Sequence, residues 1–219
     1  MMSAAQPECS TPEGVCSLEV RWIFPGQLST AVAAWFERFP AERESRDDAY
    51  LLDPHLRGLS VKLRGGAALD VKVYRGSPGI LDVTGRVRGY LESWQKWSFP
   101  YAPVSQDNGN PAGWTAVSKT RRISRFSLAS GRTLARVPGP GDPVCAVELA
   151  EVRARGEAWW SLGFEATGPA DLLRAELEAT AALVFAETLP AGVEPGTDDS
   201  RSYAEWLSQW PAAGSSADD

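Results

Sequence analysis

Charged side chains recur at every second position in several short segments of this 219-residue chain. Such pairs include Glu19 with Arg21, Lys62 with Arg64, and Asp70 with Lys72. Lysine and arginine bind phosphate oxygens, whereas carboxylates are the oxygen ligands that Mg²⁺ and Mn²⁺ prefer. If these side chains share one cavity, the chemistry that suits them is the binding of a phosphate compound together with a divalent metal.

The segment VKLRGGAALDVKVY, residues 61–74, shows this pattern most clearly. Apolar and charged residues alternate on both sides of a glycine-containing turn, which predicts a β-hairpin with one apolar and one charged face. The same alternation predicts further strands at 16–24, 49–52, 80–90, 114–128, 145–153 and 158–167. A half-buried hairpin commonly turns its charged face to water, so the hairpin alone does not define a site.

Helical spacing of apolar residues predicts two amphipathic helices, at 27–39 and 170–189, and a last short helix at 201–210. Residues 42–48 are predicted to be a charged connector, and residues 103–113 a loop rich in Asn, Gly and Pro. One domain is expected over residues 15–211, with disordered segments at 1–14 and 212–219.

About eight strands are enough to close a sheet into a barrel. The amphipathic helices need an apolar surface to cover, so the apolar strand faces should point outward and the charged faces inward. We therefore predict an α+β fold in which an eight-stranded antiparallel β-barrel, or tunnel, has a polar lumen and is covered by α-helices. Buried like charges without partners cost several kcal/mol per ion, so this lumen should be wet and should bind an anion. The alternative is an open sheet with ion pairs on its surface.

Composition excludes several classes of function. The 28 acidic residues exceed the 22 basic ones, which argues against a nucleic-acid-binding protein. His55 is the only histidine, so histidine-based metal clusters and Ser-His-Asp catalysis are not expected. The three cysteines, Cys9, Cys16 and Cys145, indicate neither a zinc site nor a disulfide framework. No apolar segment is long enough to span a membrane, and a cytoplasmic protein is expected.

The chain resembles the CYTH family of triphosphate tunnel metalloenzymes. The resemblance covers most of residues 17–189 and rests on the order of SLEVRW, VKLR, DVKVY, SKTRR, AVELAEV and WWSLGFEA, the last two followed by a helix. The family fold that it implies is an antiparallel barrel whose basic side chains bind a triphosphate and whose acidic side chains bind divalent metal. Class IV adenylyl cyclases, thiamine triphosphatases and inorganic triphosphatases belong to this family.

One departure from the family pattern lies in the first strand. The family motif is ExExK, whereas Ser17, Glu19 and Arg21 occupy these positions here. The resemblance implies that Glu19 binds metal and Arg21 binds phosphate, but the first carboxylate is missing, which puts metal binding and hydrolysis in doubt. Glu148 and Glu165 match the late acidic positions, and Glu151 would replace Glu148 if the register shifted.

The function expected from the sequence is therefore hydrolysis of an inorganic or small organic triphosphate, with Mg²⁺ or Mn²⁺ as cofactor. The expected catalytic residues are Glu19, Arg21 and Lys72, and the expected metal ligands are Glu19, Glu148 and Glu165. The expected substrate-binding residues are Lys62, Arg64, Arg86, Arg88, Lys119, Arg121 and Arg125. Asp70 is either a ligand or an ion-pair partner for a lumen cation.

Two alternatives remain open. The barrel could bind a polyphosphate or nucleotide without hydrolysing it, or it could act on an organic diphosphate. In the second case, aromatic residues near the tunnel mouth, among them Trp94, Trp97, Trp114 and Trp159, would contact the organic group. The oligomeric state is not predicted.

Overall fold

A closed β-barrel forms the centre of the structure. This computed structural model describes residues 14–101, 113–127, 132–133 and 142–209. Within them, nine strands occur, β1 to β9, and their bounds are Val15–Pro25, Glu42–Leu51, Leu59–Arg64, Ala68–Val83, Val87–Pro100, Trp114–Ser127, Arg132–Thr133, Val144–Ala154 and Glu157–Thr167. Three helices, α1 to α3, span Thr30–Phe36, Leu173–Val184 and Tyr203–Ser208.

Eight of these strands pair antiparallel in the order β2-β3-β4-β5-β1-β9-β8-β6, and pairing of β6 with β2 closes the sheet. The two-residue strand β7 adds to β6 outside this ring. Closure leaves no unpaired edge among the eight strands, so nearly all of their backbone polar groups are satisfied within the barrel. The predicted eight-stranded antiparallel barrel of an α+β fold is confirmed.

The apolar strand faces point outward, as predicted. Leu18, Val20 and Trp22 of β1 pack with residues of α1 and α2 in the main hydrophobic core. Their neighbours Ser17, Glu19 and Arg21 must therefore face the lumen, because successive side chains of a strand point to opposite sides. Helices α1 and α2 thus cover the outside of the barrel and leave the charged faces inside.

A second core fills one end of the barrel from within. Helix α3 contributes Tyr203, Trp206 and Leu207, which pack against inward-facing residues of the strands that include Ile23 and Val117. Ser202 caps the helix by accepting a hydrogen bond from the Glu205 N–H. The short last helix was predicted from its sequence, but its position as an internal plug was not.

Residues 42–48 differ most from the prediction, because they form part of a strand. They were predicted to be a connector, but they belong to strand β2, which pairs with β3 and β6. Both faces of this part of β2 are polar, so it has no apolar alternation. This part of β2 is instead held to its neighbour by cross-strand ion pairs such as Glu44–Arg121, which apolar alternation does not reveal.

Strand β4 also differs from the prediction. Residues 76–79 were predicted to be a turn, but β4 continues through them with irregular pairing at Gly76 and Gly79, both of which have a positive φ. The chain instead reverses at residues 84–86, within the predicted strand 80–90. The glycine signal was correct, but it marked bulges in a long strand.

The helices α1 and α2 are shorter than predicted at both ends. Helix α1 spans Thr30–Phe36 within the predicted 27–39, and α2 spans Leu173–Val184 within the predicted 170–189.

Cys16 is disulfide-bonded, which its spacing did not predict, whereas Cys145 is a buried free thiol. The segments predicted to be disordered, 1–14 and 212–219, lie outside the described residues except for Gly14. Residues 103–112 of the predicted loop also lie outside them.

Close packing of β5 on β1 makes Gly89 a test of this fold. A Cβ atom at residue 89 would lie 2.6 Å from Val20 Cγ2 and 2.7 Å from the Trp22 ring. Since Trp22 is fully buried, it has no room to yield. We expect Gly89→Ala to lower the free energy of unfolding by about 2 kcal/mol, measured by urea denaturation.

Gly196→Ala is the matched control. Its Cβ would meet no atom closer than 3.9 Å, and its φ of -106° suits any residue. We expect a change within about 0.5 kcal/mol. Equal stability of the two variants would contradict the packing of β5 against β1.

Candidate functional site

A cavity of about 80 Å³ lies inside the barrel. This is several times the roughly 10–15 Å³ that one water molecule needs, so the cavity has room for solvent or for part of a ligand. Six cationic side chains line it: Arg21, Arg46, Lys62, Lys72, Lys119 and Arg121. Four carboxylates line it as well: Glu19, Glu92, Glu148 and Glu165. The lumen is therefore strongly charged, with cations in excess.

The two signs of charge occupy different walls of the barrel. The neighbouring strands β6, β2, β3 and β4 supply five of the six cations, and the neighbouring strands β5, β1, β9 and β8 supply all four carboxylates. We call the first set of strands the basic wall and the second set the acidic wall. Arg21 is the exception, since it is a cation on the acidic wall.

Arg21 is held in place by Glu148. Its Nη1 atom lies 2.7 Å from Glu148 Oε1, and Arg121 binds the other oxygen of Glu148 at 2.5 Å. Burial alone would raise the pKa of Glu148, but the charges of Arg21 and Arg121 outweigh burial and hold this pKa well below its usual range. Glu148 therefore links the acidic wall to the basic wall as an anion.

Gly163 provides the space for this arrangement. It lies opposite Arg21 in the pairing of β1 with β9, and a Cβ atom there would lie 2.8 Å from the guanidinium carbon. The Arg21 guanidinium also lies 4.5 Å from the centre of the Tyr203 ring, which belongs to the internal plug. The side chain is thus fixed from three sides.

Lys72 reaches across the cavity to the acidic wall. Its Nζ atom lies 2.6 Å from Glu19 Oε1 and 3.5 Å from Glu165 Oε1. Lys72 lowers the pKa of Glu165 to about 2, against the effect of burial. Ser17, which occupies the first position of the expected motif, is buried and donates a hydrogen bond of 2.5 Å to Glu19.

Two buried aspartates support the basic wall. Asp48 lies 2.8 Å from Arg46 Nε and 3.4 Å from Lys119 Nζ, and its side chain is fully buried. Asp70 accepts a hydrogen bond from Ser98 and lies within 4 Å of Lys62, Arg64 and Lys96. Neither aspartate lines the cavity. Asp70 is therefore an ion-pair partner, which is one of the two roles predicted for it.

Burial in the basic wall disfavours the charged forms of Lys62 and Lys119. Burial lowers the pKa of Lys62 to about 8, although Asp48 opposes this shift. Burial and the nearby charge of Lys62 also place the pKa of Lys119 well below its usual value. Lys119 donates a hydrogen bond of 2.8 Å to the Tyr50 hydroxyl and lies 3.6 Å from the centre of the Tyr203 ring. An anion in the cavity would favour the charged form of both lysines.

Glu92 differs from the other carboxylates of the cavity. It lies opposite Glu19 in the pairing of β5 with β1, and it forms no ion pair with a cation of the described residues. Burial raises the pKa of Glu92 to about 7, the nearby Glu19 and Glu205 add to this, and the hydrogen bond from Trp94 Nε1 opposes it.

Eight of the predicted site residues line the cavity: Glu19, Arg21, Lys62, Lys72, Lys119, Arg121, Glu148 and Glu165. Glu151, the alternative to Glu148, instead pairs with Arg122 and is half exposed, so the predicted register of β8 is correct.

Four predicted substrate-binding residues do not line the cavity: Arg64, Arg86, Arg88 and Arg125. Arg64 ends β3, and Arg125 pairs with Glu42 near the end of β6. Arg86 lies in the turn before β5, and Arg88 forms a half-exposed pair with Asp82 beyond the bulges of β4. Sharing a strand face was therefore not sufficient, because a strand is longer than the cavity.

Other residues that line the cavity were not predicted from the sequence. Arg46 was assigned to a connector, and Tyr203 comes from the plug helix, whose position no local pattern encodes. Glu92 alternates with Trp94 and Lys96 in β5, and this alternation could have identified it.

The carboxylates match a divalent metal in chemistry but not in their present arrangement. Glu92, Glu19 and Glu165 lie in register on three adjacent strands, and carboxylates suit Mg²⁺ or Mn²⁺. Yet both oxygens of Glu148 bind arginines, and Glu19 binds Lys72. Among the described residues, no group of three His, Cys, Asp or Glu residues is placed to hold a metal ion.

Comparisons with known proteins give little guidance on function. No family model and no curated protein matches the chain. Among solved structures, the chain is similar to the PH1819 protein from Pyrococcus horikoshii OT3, with 14% sequence identity and a TM-score of 0.43. The match covers 88% of this chain and 98% of that one. This similarity is too distant to indicate a function.

No helix in the described ranges is long and apolar enough to cross a membrane.

The ion pairs of Glu148 with Arg21 and Arg121 should contribute to the stability of the fold. Glu148→Gln removes the carboxylate partner of Arg21 and leaves Arg121 with Glu44 alone, so we expect it to lower the free energy of unfolding at pH 7 by about 3 kcal/mol. The folded-state pKa of Glu148 is depressed, so the stabilisation is complete above the unfolded carboxyl pKa of about 4.3 and is lost as the pH falls below it. Urea denaturation from pH 7 to pH 3 should show the difference from the unsubstituted protein shrinking.

Glu151→Gln is the control on the same strand. Its partner Arg122 lies on the outer surface, and the Glu151 side chain is 49% exposed. We expect a change of less than about 1 kcal/mol. A loss as large as that of Glu148→Gln would show that the inward and outward faces of β8 are misassigned.

Proposed function

We propose that the lumen binds the phosphate chain of a triphosphate and that the protein is a divalent-metal-dependent phosphohydrolase of the CYTH type. The observation that carries this proposal is the division of the cavity into a basic and an acidic wall. A phosphate chain needs cations around it, and a divalent metal needs carboxylates, so a complex of the two needs both walls face to face.

The basic wall has the composition of a polyphosphate site. Arg46, Lys62, Lys119 and Arg121 come from three strands and converge on one cavity. Arginine presents a planar fork to phosphate oxygens, whereas lysine acts as a compact point charge. Six cations line the cavity against four carboxylates, an excess of positive charge that an anionic ligand would neutralise.

The roles of the residues follow from their walls. Arg46, Lys62, Lys119 and Arg121 bind phosphate oxygens, and Arg21 faces them from the acidic wall. Glu19 and Glu165 are the ligands proposed for Mg²⁺ or Mn²⁺, with Glu92 beside them. When bound, a divalent ion would neutralise phosphate charge and polarise the reacting phosphoryl group. Glu148 fits a positioning role better than a ligand role, because both of its oxygens hold arginines.

Lys72 has a role that depends on what occupies the cavity. In the structure it neutralises Glu19 and Glu165. A divalent cation on these carboxylates would replace this charge, and Lys72 would then be available to bind a phosphate oxygen. The same side chain thus satisfies the acidic wall in the free protein and adds to the basic wall in the complex.

A second function is favoured by a specific observation. Ser17 occupies the position of the first carboxylate of the CYTH motif. Among the described residues, no group of three potential ligands is placed to hold a metal ion. Both facts suit a barrel that binds a polyphosphate or nucleotide without hydrolysing it. Calorimetry followed by analysis of the recovered ligand separates the two functions, because only the binding protein returns the ligand intact.

The hydrolase proposal is tested by phosphate release from inorganic triphosphate, thiamine triphosphate and ATP, each with Mg²⁺, with Mn²⁺ and with EDTA. We expect release with at least one metal and none with EDTA. Arg121→Ala should reduce the release at least 100-fold, because it removes a phosphate contact and a partner of Glu148. Arg122→Ala, on the outer face of the same strand, should have little effect. Absence of release from all three compounds would exclude the hydrolase.

Lys62 gives the binding a characteristic pH dependence. Because its pKa in the free protein is about 8, it loses its charge as the pH rises through this value, and its attraction for phosphate is lost with it. We expect the affinity for inorganic triphosphate, measured by calorimetry without metal, to fall between pH 7 and pH 9.

Lys62→Arg should remove most of this fall, since arginine stays protonated throughout this range. Lys96→Arg is the control, because Lys96 lies beside Asp70 but does not line the cavity. An equally steep fall in Lys62→Arg would show that Lys62 does not contact the phosphate chain.

A further inference from the structure

Lysine is rare in this chain, and its lysines point toward the barrel interior. Only four of the 22 basic residues are lysines: Lys62, Lys72, Lys96 and Lys119. Three of them line the cavity. Lys96 shares their inward face, because it lies opposite Lys72 in the pairing of β4 with β5. The side-chain amines of the protein are thus concentrated in one place.

Lys62 differs from the other five cations that line the cavity. Among the described residues, its Nζ atom has no hydrogen-bond partner. Each of the other five donates a hydrogen bond to a described side chain: Arg21 and Arg121 to Glu148, Arg46 to Glu44, Lys72 to Glu19, and Lys119 to Tyr50. The Lys62 amine is therefore the least firmly held charged group of the lumen.

The two aspartates nearest to Lys62 are occupied by other groups. The Nζ atom lies 3.8 Å from Asp48 and 3.9 Å from Asp70, and both distances are too long for a hydrogen bond. Asp48 lies 2.8 Å from Arg46 Nε, and Asp70 accepts a hydrogen bond of 2.7 Å from Ser98. These carboxylates compensate the charge of Lys62 only in part.

Four cations from the surrounding strands also act on the Lys62 amine. They are Arg46 of β2, Lys72 of β4, Lys96 of β5 and Lys119 of β6. Burial lowers the pKa of Lys62 to about 8, Asp48 opposes this shift, and the neighbouring cations add to it. Near pH 8 much of the amine is therefore uncharged, and an uncharged lysine amine is a nucleophile.

Lys119 is less suited than Lys62 to react, although its pKa is lowered as well. Its side chain is only 3% exposed, and its Nζ atom is enclosed between the Tyr50 hydroxyl and the Tyr203 ring. The Lys62 side chain is 15% exposed and borders the cavity of about 80 Å³. Since one water molecule needs roughly 10–15 Å³, the cavity has room for a small reagent beside the Lys62 nitrogen.

The surroundings of Lys62 would stabilise an anion in place of the ammonium group. The cations that disfavour a positive charge at the Nζ atom attract a negative charge there. Six cations line the cavity against four carboxylates, so an added anion also reduces the imbalance of charge. A reaction that turns this amine into an anion is thus favoured in both its reactant and its product.

We propose that Lys62 is a modification site at which the side-chain amine adds to CO₂ and forms a carbamate. The nitrogen lone pair attacks the carbon atom, a C–N bond forms as one C–O π bond opens, and the nitrogen releases one proton to solvent. No electrons are gained or lost, and loss of CO₂ restores the amine. This inference does not depend on the function proposed above.

The carbamate would oppose the binding of other anions in the lumen. It replaces one positive charge of the basic wall by one negative charge, and its oxygens occupy the neighbouring cations. CO₂ should therefore weaken the binding of a phosphate chain, and by linkage a bound phosphate chain should lower the extent of carbamate formation. The modification would couple the proposed phosphate site to the concentration of CO₂.

The carbamate is detected by ¹³C NMR of the protein at pH 8 in ¹³C-labelled bicarbonate, which supplies CO₂. We expect a carbamate resonance that is absent from Lys62→Arg, because arginine stays protonated. Lys96→Arg is the control, since Lys96 does not line the cavity, and it should keep the resonance. The terminal α-amine also reacts with CO₂, but its signal is common to all three proteins.

A second measurement locates the group in the unsubstituted protein. Triethyloxonium ion converts a carbamate into its stable ethyl ester, and mass spectrometry of the peptides then identifies the modified lysine. We expect the ester on Lys62. An ester confined to another lysine, or to the terminal amine, would overturn the inference.

The coupling is measured by calorimetry with inorganic triphosphate at pH 8 without metal. We expect the affinity to be at least fivefold lower in bicarbonate than in the same concentration of formate, an anion that forms no carbamate. Lys62→Arg should bind equally well in both. An equal loss in Lys62→Arg would mean that bicarbonate competes as a free ion, and the coupling would be wrong.

The outcomes separate this inference from the phosphate site. If triphosphate binds but no carbamate resonance depends on Lys62, the modification is wrong and the phosphate site stands. If the Lys62 carbamate forms but triphosphate does not bind in formate, the modification stands and the function proposed above is wrong.

Discussion

Glu148 joins two arginines that approach it from different strands, Arg21 from β1 and Arg121 from β6. In the closed barrel these guanidinium groups cannot turn to bulk water, so each needs a countercharge within reach. Glu148 supplies one to both, with Glu44 as a second partner of Arg121, and it thereby fixes their positions on either side of the cavity. Gly163 leaves the space, and the Tyr203 ring closes the remaining side. The geometry of the lumen depends on this buried triad.

The same requirement governs the rest of the interior. Asp48 and Asp70 form ion pairs with cations of the basic wall and its surroundings, and Lys72 neutralises Glu19 and Glu165 on the acidic wall. Ion pairs of this kind do not make the barrel more stable than an apolar core would. They keep charged groups at defined positions inside a protein, which is what binding of a charged ligand requires. The proposed binding of a phosphate chain would depend on this arrangement.

Stability comes from the opposite faces of the same strands. Leu18, Val20 and Trp22 pack outward under the helices, while the residues between them point into the lumen. This arrangement inverts the usual small barrel, whose interior is apolar, and it makes α1 and α2 necessary, because the outer apolar face cannot be left in water. Helix α3 fills one end of the barrel from within.

Period-two alternation in the sequence determined which residues face inward. Because side chains of a strand alternate strictly, Glu19, Arg21, Lys62 and Lys72 could be assigned to one interior once the helices were seen to need an apolar surface. The number of strands indicated closure, and the stop signals at proline and glycine located most strand ends. The barrel and eight of the cavity residues were predicted in this way.

Tertiary structure decided what alternation cannot express. The level of a residue along the barrel axis depends on register and bulges, so Arg88 and Arg125 share a face with cavity residues but lie beyond the cavity. A strand with two polar faces, such as β2, has no alternation of apolar residues, because its pairing relies on charges from distant strands. Tyr203 enters the lumen through packing of a helix distant in sequence. Sequence periodicity reports the direction of a side chain, and only the folded chain sets its depth and its neighbours.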